Sequence, residues 1–470
     1  MDILLLNLAN MVNEKGKDKD YSIKQSAVPP LGLLYLAQVL HDNGYDVKVY
    51  DQTVITLRNP DLMELIKEMD PKIIGFSIIV DNLYTTVDLL DRIKKWNPNI
   101  ITVGGNYFGT FYPEKLMKEM DLDFCIRGEG EYILLNLVDK IYKNKENYND
   151  IKGITYRKNG IIKSTPPAEK IKDLDELPFP NRKLIDFNYK LFHKSTSILT
   201  SRGCPFQCRF CFFSLLQGKK WRSRSAKNIV EELKMLKDQG YKEILFVDDN
   251  FTLNLKRIYR ICAEIKKNKL DDLEYSCDSR IDNASLTLFR ALSSINCKKI
   301  TFGIESGVQR ILDYYNKRIK ISQVKNAIKN AKKARMEILY GSFVLGAPNE
   351  TIDDIKKTIK FANNLGLSFM VYEILETIPI SPIYKECVDK GWHEPRDDDW
   401  KRIVLVPDIC PTAVNTKLLT KFIQNAMIKF ISSKKRNINL VFESLKSNYY
   451  IEGIINSVKN FKIGDLQKNE

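Results

Sequence analysis

Ser201-Arg202-Gly203-Cys204-Pro205-Phe206-Gln207-Cys208-Arg209-Phe210-Cys211 stands directly after an apolar, strand-like run from Ser197 to Thr200. Three thiolates at this spacing can each take one iron of a cubane and leave the fourth iron without a protein ligand. Zinc is the rival reading. A structural zinc site asks for four donors, yet the chain offers no second Cys-x2-Cys pair, and its three histidines, His41, His193 and His393, form no His-x3-His pair. The spacing therefore predicts a 4Fe-4S cluster on Cys204, Cys208 and Cys211 with one iron open to a further ligand.

Working outward toward the C-terminus, apolar strand-length runs alternate with amphipathic helix-length stretches from about 196 to 380: Ile229 to Gln239, Ile244 to Val247, Leu255 to Ile265, Tyr275 to Cys277, Leu286 to Leu292, Lys299 to Gly303, Gln323 to Ala334, Leu339 to Leu345, Ile352 to Leu365 and Met370 to Leu375. Six βα units at regular spacing predict a complete or partial (β/α) barrel with its chemistry at the C-terminal strand ends. The cysteine loop lies at the first of those ends. Toward the N-terminus, residues 1–145 show the same alternation (Ile3 to Leu8, Leu31 to His41, Val47 to Tyr50, Ile73 to Val80, Leu83 to Trp96, Ile100 to Val103, Phe124 to Ile126, Glu131 to Tyr142). They predict a doubly wound parallel sheet, so the fold class is α/β throughout both large domains. Residues 146–195 are polar and proline-rich and predict a linker with one hairpin. Residues 381–470 predict a small, mainly helical C-terminal region.

The composition fits a globular multidomain chain: 470 residues, 44% hydrophobic and 28% charged. No apolar run reaches eighteen residues, and Met1-Asp2-Ile3-Leu4-Leu5-Leu6-Asn7 lacks the basic start of a secretory leader. Nine cysteines without such a leader favour metal or redox chemistry in a reducing cytoplasm over a disulfide framework. The net charge of +15 suggests anionic partners or simply lysine-rich solvated surfaces, because the excess is spread along the chain. From Thr412 onward ten Lys/Arg face four Asp/Glu, and Phe422 to Phe442 with Lys434-Lys435-Arg436 reads either as an amphipathic helix lying on an anionic membrane or as a helix packed on the barrel. Cys387 and Cys410 read as buried thiols.

The cysteine stretch, with Phe210 before its third cysteine, closely resembles the signature of the radical S-adenosylmethionine superfamily. The resemblance implies that the open iron binds the amine and carboxylate of S-adenosylmethionine and that one electron from the cluster cleaves it to a 5′-deoxyadenosyl radical. Further motifs match in order. Asp248 and Asp249, in Phe246-Val247-Asp248-Asp249-Asn250-Phe251, correspond to the element that contacts the methionine amine, and Arg280 to a residue that pairs with its carboxylate. Glu305 and Ser306, in Gly303-Ile304-Glu305-Ser306-Gly307, resemble the ribose or amine contacts, and Gly346, in the stretch Gly341 to Glu350, the strand beside the adenine. Lys317 follows the Gly303–Gly307 motif at a distance familiar in the superfamily, yet in Asn316-Lys317-Arg318 it reads as a solvated surface lysine.

In the first domain, Gly75-Phe76-Ser77, Ile101-Thr102-Val103-Gly104-Gly105-Asn106 and Arg127-Gly128-Glu129-Gly130-Glu131 are similar to the cobalamin-binding domain of the cobalamin-dependent members of that superfamily. The resemblance covers about residues 2 to 380 and implies cobalamin contacts at Ser77, Gly104, Gly105, Asn106, Gly128 and Glu129. One feature departs from many cobalamin proteins: residues 7 to 28 contain no histidine, so a bound cobalamin would lack a histidine ligand from that loop. The alternative is a vestigial domain that holds no corrin. The expected activity is methylation of an unactivated carbon on a small molecule or lipid, with a ferredoxin or flavodoxin as electron donor. A cobalamin-free cyclising or carbon-joining enzyme acting on a lipid and a non-catalytic cobalamin or redox sensor are the alternatives. Methylthio transfer to tRNA would call for three N-terminal cysteines, whereas only Cys125 precedes Cys204, and no nucleic-acid partner is expected. The expected location is cytoplasmic, with peripheral membrane contact through the basic C-terminal helices as a variant.

Overall fold

The computed structural model describes residues 1–18, 28–55, 57–145, 147–185 and 194–432. Strands β1 (Ile3–Asn7), β2 (Val47–Asp51), β3 (Ile73–Ser77), β4 (Ile101–Gly105) and β5 (Phe124–Ile126) form a parallel sheet in the order β2-β1-β3-β4-β5. The near-continuous apolar character of β1 follows from burial on both faces. Leu4 and Leu6 join a core with Ile74 and Phe76, while Ile3 and Leu5 join a second core with Val47 and Val49. The strand order reverses direction between β1 and β3, which opens a crevice at the carboxyl ends of the strands there.

The hairpin expected within the linker forms as β6 (Ile154–Lys158) and β7 (Ile161–Ser164), but it does not stand apart. Its first strand pairs antiparallel with β5, so the first sheet has seven strands and runs to Ser164. Ile154 and Tyr156 bury their side chains in the core shared with Phe124, which is what recruits the hairpin. Helix Asn59–Met69, absent from the sequence expectation, buries a short apolar stripe, Leu62, Met63 and Ile66, beside Asn59.

The second sheet begins with β8 (Ser195–Ile198), after which a short antiparallel pair, β9 (Ser201–Arg202) and β10 (Arg222–Ser223), frames the cysteine loop. It continues through β11 (Glu243–Phe246), β12 (Glu274–Ser279), β13 (Cys297–Glu305), β14 (Ile338–Leu345) and β15 (Phe369–Ile374), all parallel and in sequence order. Six strands make the barrel a partial one. Its helices follow from capping and stripe: Ser225 accepts from Asn228 N–H to start helix Ala226–Asp238, and Ile229, Val230, Leu233 and Leu236 pack onto the sheet.

The C-terminal region contributes helix Thr416–Ser432, whose Leu419, Ala426 and Phe430 are buried in the barrel core, with Phe430 edge-on to Phe369 of β15. Its described apolar stripe is therefore committed to the barrel. Lys434, Lys435, Arg436 and the rest of the expected membrane-facing segment lie outside the described residues, as does His193. Cys387 and Cys410 are both buried in one small apolar cluster.

Candidate active site

The cysteine loop is held by its backbone. Gly203, at φ +88°, turns the chain out of β9, and a Cβ there would lie 2.5 Å from the Lys220 carbonyl oxygen. Cys204 N–H donates to Gly218 (3.0 Å), Cys211 N–H to Cys208 (3.1 Å) and Arg209 N–H to Tyr315 (3.0 Å), while Asn316 Nδ2 donates to the Gln207 carbonyl (2.8 Å). All three thiols are half-buried. Among the described residues no three Cys, His, Asp or Glu side chains converge on a single ion. A cubane needs the opposite arrangement, because its three cysteines bind three different irons. Burial pushes the Cys204 and Cys211 thiols up, so the charge of the iron must draw off their protons on binding.

Four sets of strand-end side chains surround this loop. Arg280, after β12, stacks its guanidinium 3.6 Å from the Phe206 ring centroid, donates to the Lys317 carbonyl (2.6 Å) and to Asp282, and brings Nη1 within 3.8 Å of Cys208 Sγ. Glu305 ends β13 at φ +67° and binds Lys317 Nζ at 2.6 Å. Both are buried, at 5% and 6% exposure, so Lys317 is not the solvated lysine its neighbours suggest. Gly303 leaves the space this pair occupies, since a Cβ there would meet Glu305 Oε1 at 2.6 Å and Lys317 Nζ at 2.8 Å. Phe210 packs edge-on to Tyr315, with Lys317 Nζ 6.0 Å from its ring.

The two aspartates after β11 part company. Asp248 is buried and accepts from Thr200 N–H (2.6 Å), Thr200 Oγ1 (2.5 Å) and Ser201 Oγ (2.6 Å), which locks β8 to β11. Asp249 is exposed to solvent and close enough to the cysteine loop for its charge to raise the Cys204 thiol. Partial desolvation, with the neighbouring Asp248 charge, pushes its carboxyl up to about 6. Ser306 is fully buried, shares its hydroxyl with Thr358 (3.2 Å) and accepts from Val308 N–H. Gly346, at φ +100°, packs beneath Pro407 and Leu419 and donates its N–H to Glu350 (2.6 Å). In this structure Asp248, Ser306 and Gly346 are engaged in hydrogen bonds within the barrel, while Arg280 lies beside Cys208, Lys317 beside Phe210, and the Asp249 charge acts on the Cys204 thiol.

A cavity of about 410 Å³ lies between the two sheets, at the crevice where the first sheet reverses. Ser77, Gly104, Gly105, Asn106, Gly128 and Glu129 all line it. Asn106 Nδ2 donates to Ser77 Oγ (2.9 Å), and a Cβ on Gly105 would meet nothing closer than the Phe76 carbonyl at 3.9 Å. Gly104 is different: its Cβ position faces Leu122, Ile78 and Cys125, so it lines the cavity with backbone alone. The Glu129 carboxylate is taken by Arg222 (2.6 and 2.9 Å) and by the Ile171 N–H (2.8 Å). Burial alone would raise it, yet the Arg222 hydrogen bonds and the Arg202 and Arg222 charges outweigh that and hold it below the usual range. From the barrel come Leu199, Arg202, Phe213, Leu216 and Val247. Phe213 and Val247 are 47% and 41% exposed, an apolar surface suited to the edge of a large ring system. No histidine, cysteine or methionine occurs among the described residues that line the cavity.

Residues 198–362 match the radical SAM superfamily, and residues 25–138 match the B12 binding domain. An uncharacterized methyltransferase of Pyrococcus horikoshii is 34% identical over 420 residues, 88% of this chain and 90% of that protein. The chain belongs to the cobalamin-dependent radical S-adenosylmethionine enzymes. A further relative of this radical S-adenosylmethionine enzyme is the anaerobic magnesium-protoporphyrin IX monomethyl ester cyclase of Rubrivivax gelatinosus, 30% identical over 77% of this chain and 67% of its own. Two solved structures share the fold: TsrM from Kitasatospora setae with cobalamin and a 4Fe-4S cluster bound (TM-score 0.69, 17% identity, 83% of this chain and 75% of that one), and OxsB with aqua-cobalamin and S-adenosylmethionine bound (TM-score 0.65, 20% identity, 87% and 58%). The two family matches give this radical S-adenosylmethionine enzyme a 4Fe-4S cluster, S-adenosylmethionine and cobalamin as cofactors. The sequence led to a solvated reading of Lys317 and gave Arg202 and Phe213 no role. The first two look like surface cations in a lysine-rich chain, and the third follows the cysteines without a motif of its own.

Proposed function

We propose that this enzyme methylates an unactivated carbon of a small-molecule or lipid substrate. The observation that carries the reading is one cavity walled on one side by the crevice of the B12-binding sheet and on the other by the cysteine loop of the barrel. When bound, the cluster and S-adenosylmethionine supply a hydrogen-abstracting radical, and cobalamin supplies a transferable methyl group. Cys204, Cys208 and Cys211 would hold the cluster. Asp249 and the Lys317–Glu305 pair present charges of both signs where the methionine amine and carboxylate of S-adenosylmethionine would lie, and Arg280 fixes the loop that bears Cys208. The cavity lining would hold cobalamin without a histidine ligand, and the apolar faces of Phe213 and Val247 would shield the reaction from water. A small acidic redox protein of the ferredoxin or flavodoxin type would deliver the electron.

The relative that is a methyltransferase supports methyl transfer. The relative that is a cyclase supports a second reading, a ring-forming radical reaction. Anaerobic reconstitution followed by product analysis separates them. Methyl transfer forms 5′-deoxyadenosine and S-adenosylhomocysteine together when candidate substrates are supplied, whereas ring formation gives 5′-deoxyadenosine without S-adenosylhomocysteine. Absence of both products from cluster-loaded, reduced protein would leave neither reading standing.

A further inference from the structure

The loop that carries the three cysteines is also part of the cavity wall, and it is so at both ends. Arg202, immediately before it, lines the cavity, and so do Phe213, Leu216 and Gln217 after the last cysteine. The Arg202 guanidinium is buried at 7% exposure, 2.5 Å from Glu131 and 3.6 Å from Glu129, and it lies over the Tyr35 ring at 5.4 Å. Arg222 sits directly across the β9–β10 pair from Arg202 and binds Glu129 through two nitrogens. Glu129 and Glu131 flank Gly130 at the start of helix Glu131–Tyr142 in the B12-binding domain, and both line the same cavity. A buried ionic bridge thus ties the root of the cysteine loop to the floor of the cobalamin crevice. Buried charge pairs tolerate little displacement, since separation leaves each partner desolvated and uncompensated.

We propose that loop 203–217 is a shared element of both cofactor sites, so that cluster and cobalamin bind cooperatively, with Arg202 as the positioning residue through which they couple. This rests on the reading of the cavity as a cobalamin site. Cluster ligation fixes three positions within the loop, and a corrin in the cavity would rest on its two ends. Each ligand therefore orders chain that the other must otherwise order, which makes the second binding event more favourable. The coupling must be reciprocal.

The test is equilibrium binding of hydroxocobalamin to the full-length chain in cluster-loaded and chelator-stripped forms. Wild type should bind at least about five-fold more tightly when the cluster is present, the low end for coupled sites. Arg202→Met, which keeps the apolar stem, should assemble its cluster with unchanged iron content and visible absorption yet bind hydroxocobalamin equally in both forms. Glu131→Gln, which removes the facing charge with little change of shape, should shrink the same difference and decides the matter if Arg202→Met does not fold. Equal affinity in the two wild-type forms overturns the coupling. So does a variant pair that keeps the full difference, or one that weakens both forms by the same factor, which is the mark of a merely structural defect. Wild type that binds no hydroxocobalamin in either form overturns the cobalamin reading of the cavity itself, and the coupling with it.

Discussion

Lys317 shows how a residue's chemistry depends on where its turn is aimed. Asn316 and Arg318 on either side adopt left-handed backbone (φ 51° and 58°), and the resulting turn directs the Lys317 amine inward to Glu305. Besides its distance from the Gly303–Gly307 motif, the asparagine before the lysine was a local signal, because Asn tolerates this conformation better than most residues. Replacing Lys317 with Met would leave the Glu305 carboxylate buried and unpaired, a loss of about 3–5 kcal/mol. We expect Lys317→Met to lower the thermal midpoint clearly and to weaken S-adenosylmethionine binding, whereas Lys317→Arg should restore part of both. Wild-type behaviour of Lys317→Met would show that the pair serves neither purpose. For Asp249, the ionised carboxylate receives an ammonium group far better than the neutral acid, and its pKa is raised to about 6. S-adenosylmethionine affinity should therefore climb as pH rises through that value and level off above it. Asp249→Asn should bind weakly at all pH values, with that step gone. Because ionising Asp249 opposes folding once pH exceeds the ordinary carboxylate value, the Asn variant should be no less stable than wild type at neutral pH. A step that survives in Asp249→Asn would assign the titration to another group.

At the scale of elements, the β9–β10 pair and the loop it frames depend on Gly203. A methyl group there would meet the Lys220 and Gly218 carbonyl oxygens at 2.5 and 2.8 Å, at a φ that costs a non-glycine residue roughly 1–2 kcal/mol even in open space. Gly203→Ala should accordingly lose iron after reconstitution while keeping wild-type far-UV circular dichroism, and full iron retention would refute that account. Gly105 ends β4 facing the open cavity, so Gly105→Trp should abolish hydroxocobalamin binding and leave iron content intact. Binding by that variant would move the corrin elsewhere. The strands and main helices were legible in the sequence because their periodicities are local. The pairing of β6 with β5 was not, since a polar hairpin reads the same whether it floats free or adds to a sheet edge; only its contact with the Phe124 core distinguishes the two.

At the scale of the molecule, the C-terminal helix Thr416–Ser432 packs on β15, the last strand of the open barrel, and contributes the fully buried Phe430. Phe430→Ala should destabilise the barrel by about 3–5 kcal/mol through lost burial and a residual cavity, seen as a drop of several degrees in the barrel's thermal transition. An unchanged transition would mean that the helix is dispensable to the barrel. By itself the sequence determined two α/β domains, the order of their strands along the chain, the cysteine loop at a strand end and the glycine-lined carboxyl end of the first sheet, because spacing and period are written in consecutive residues. Only the tertiary structure decided which of the matched carboxylates stay open, that Lys317 turns inward, and that Glu129 and Glu131 meet Arg222 and Arg202 from 93 and 71 residues away. The reason is physical: a buried arginine and a solvated one are the same letter, and what separates them is how two rigid sheets dock and which charges that docking strips of water.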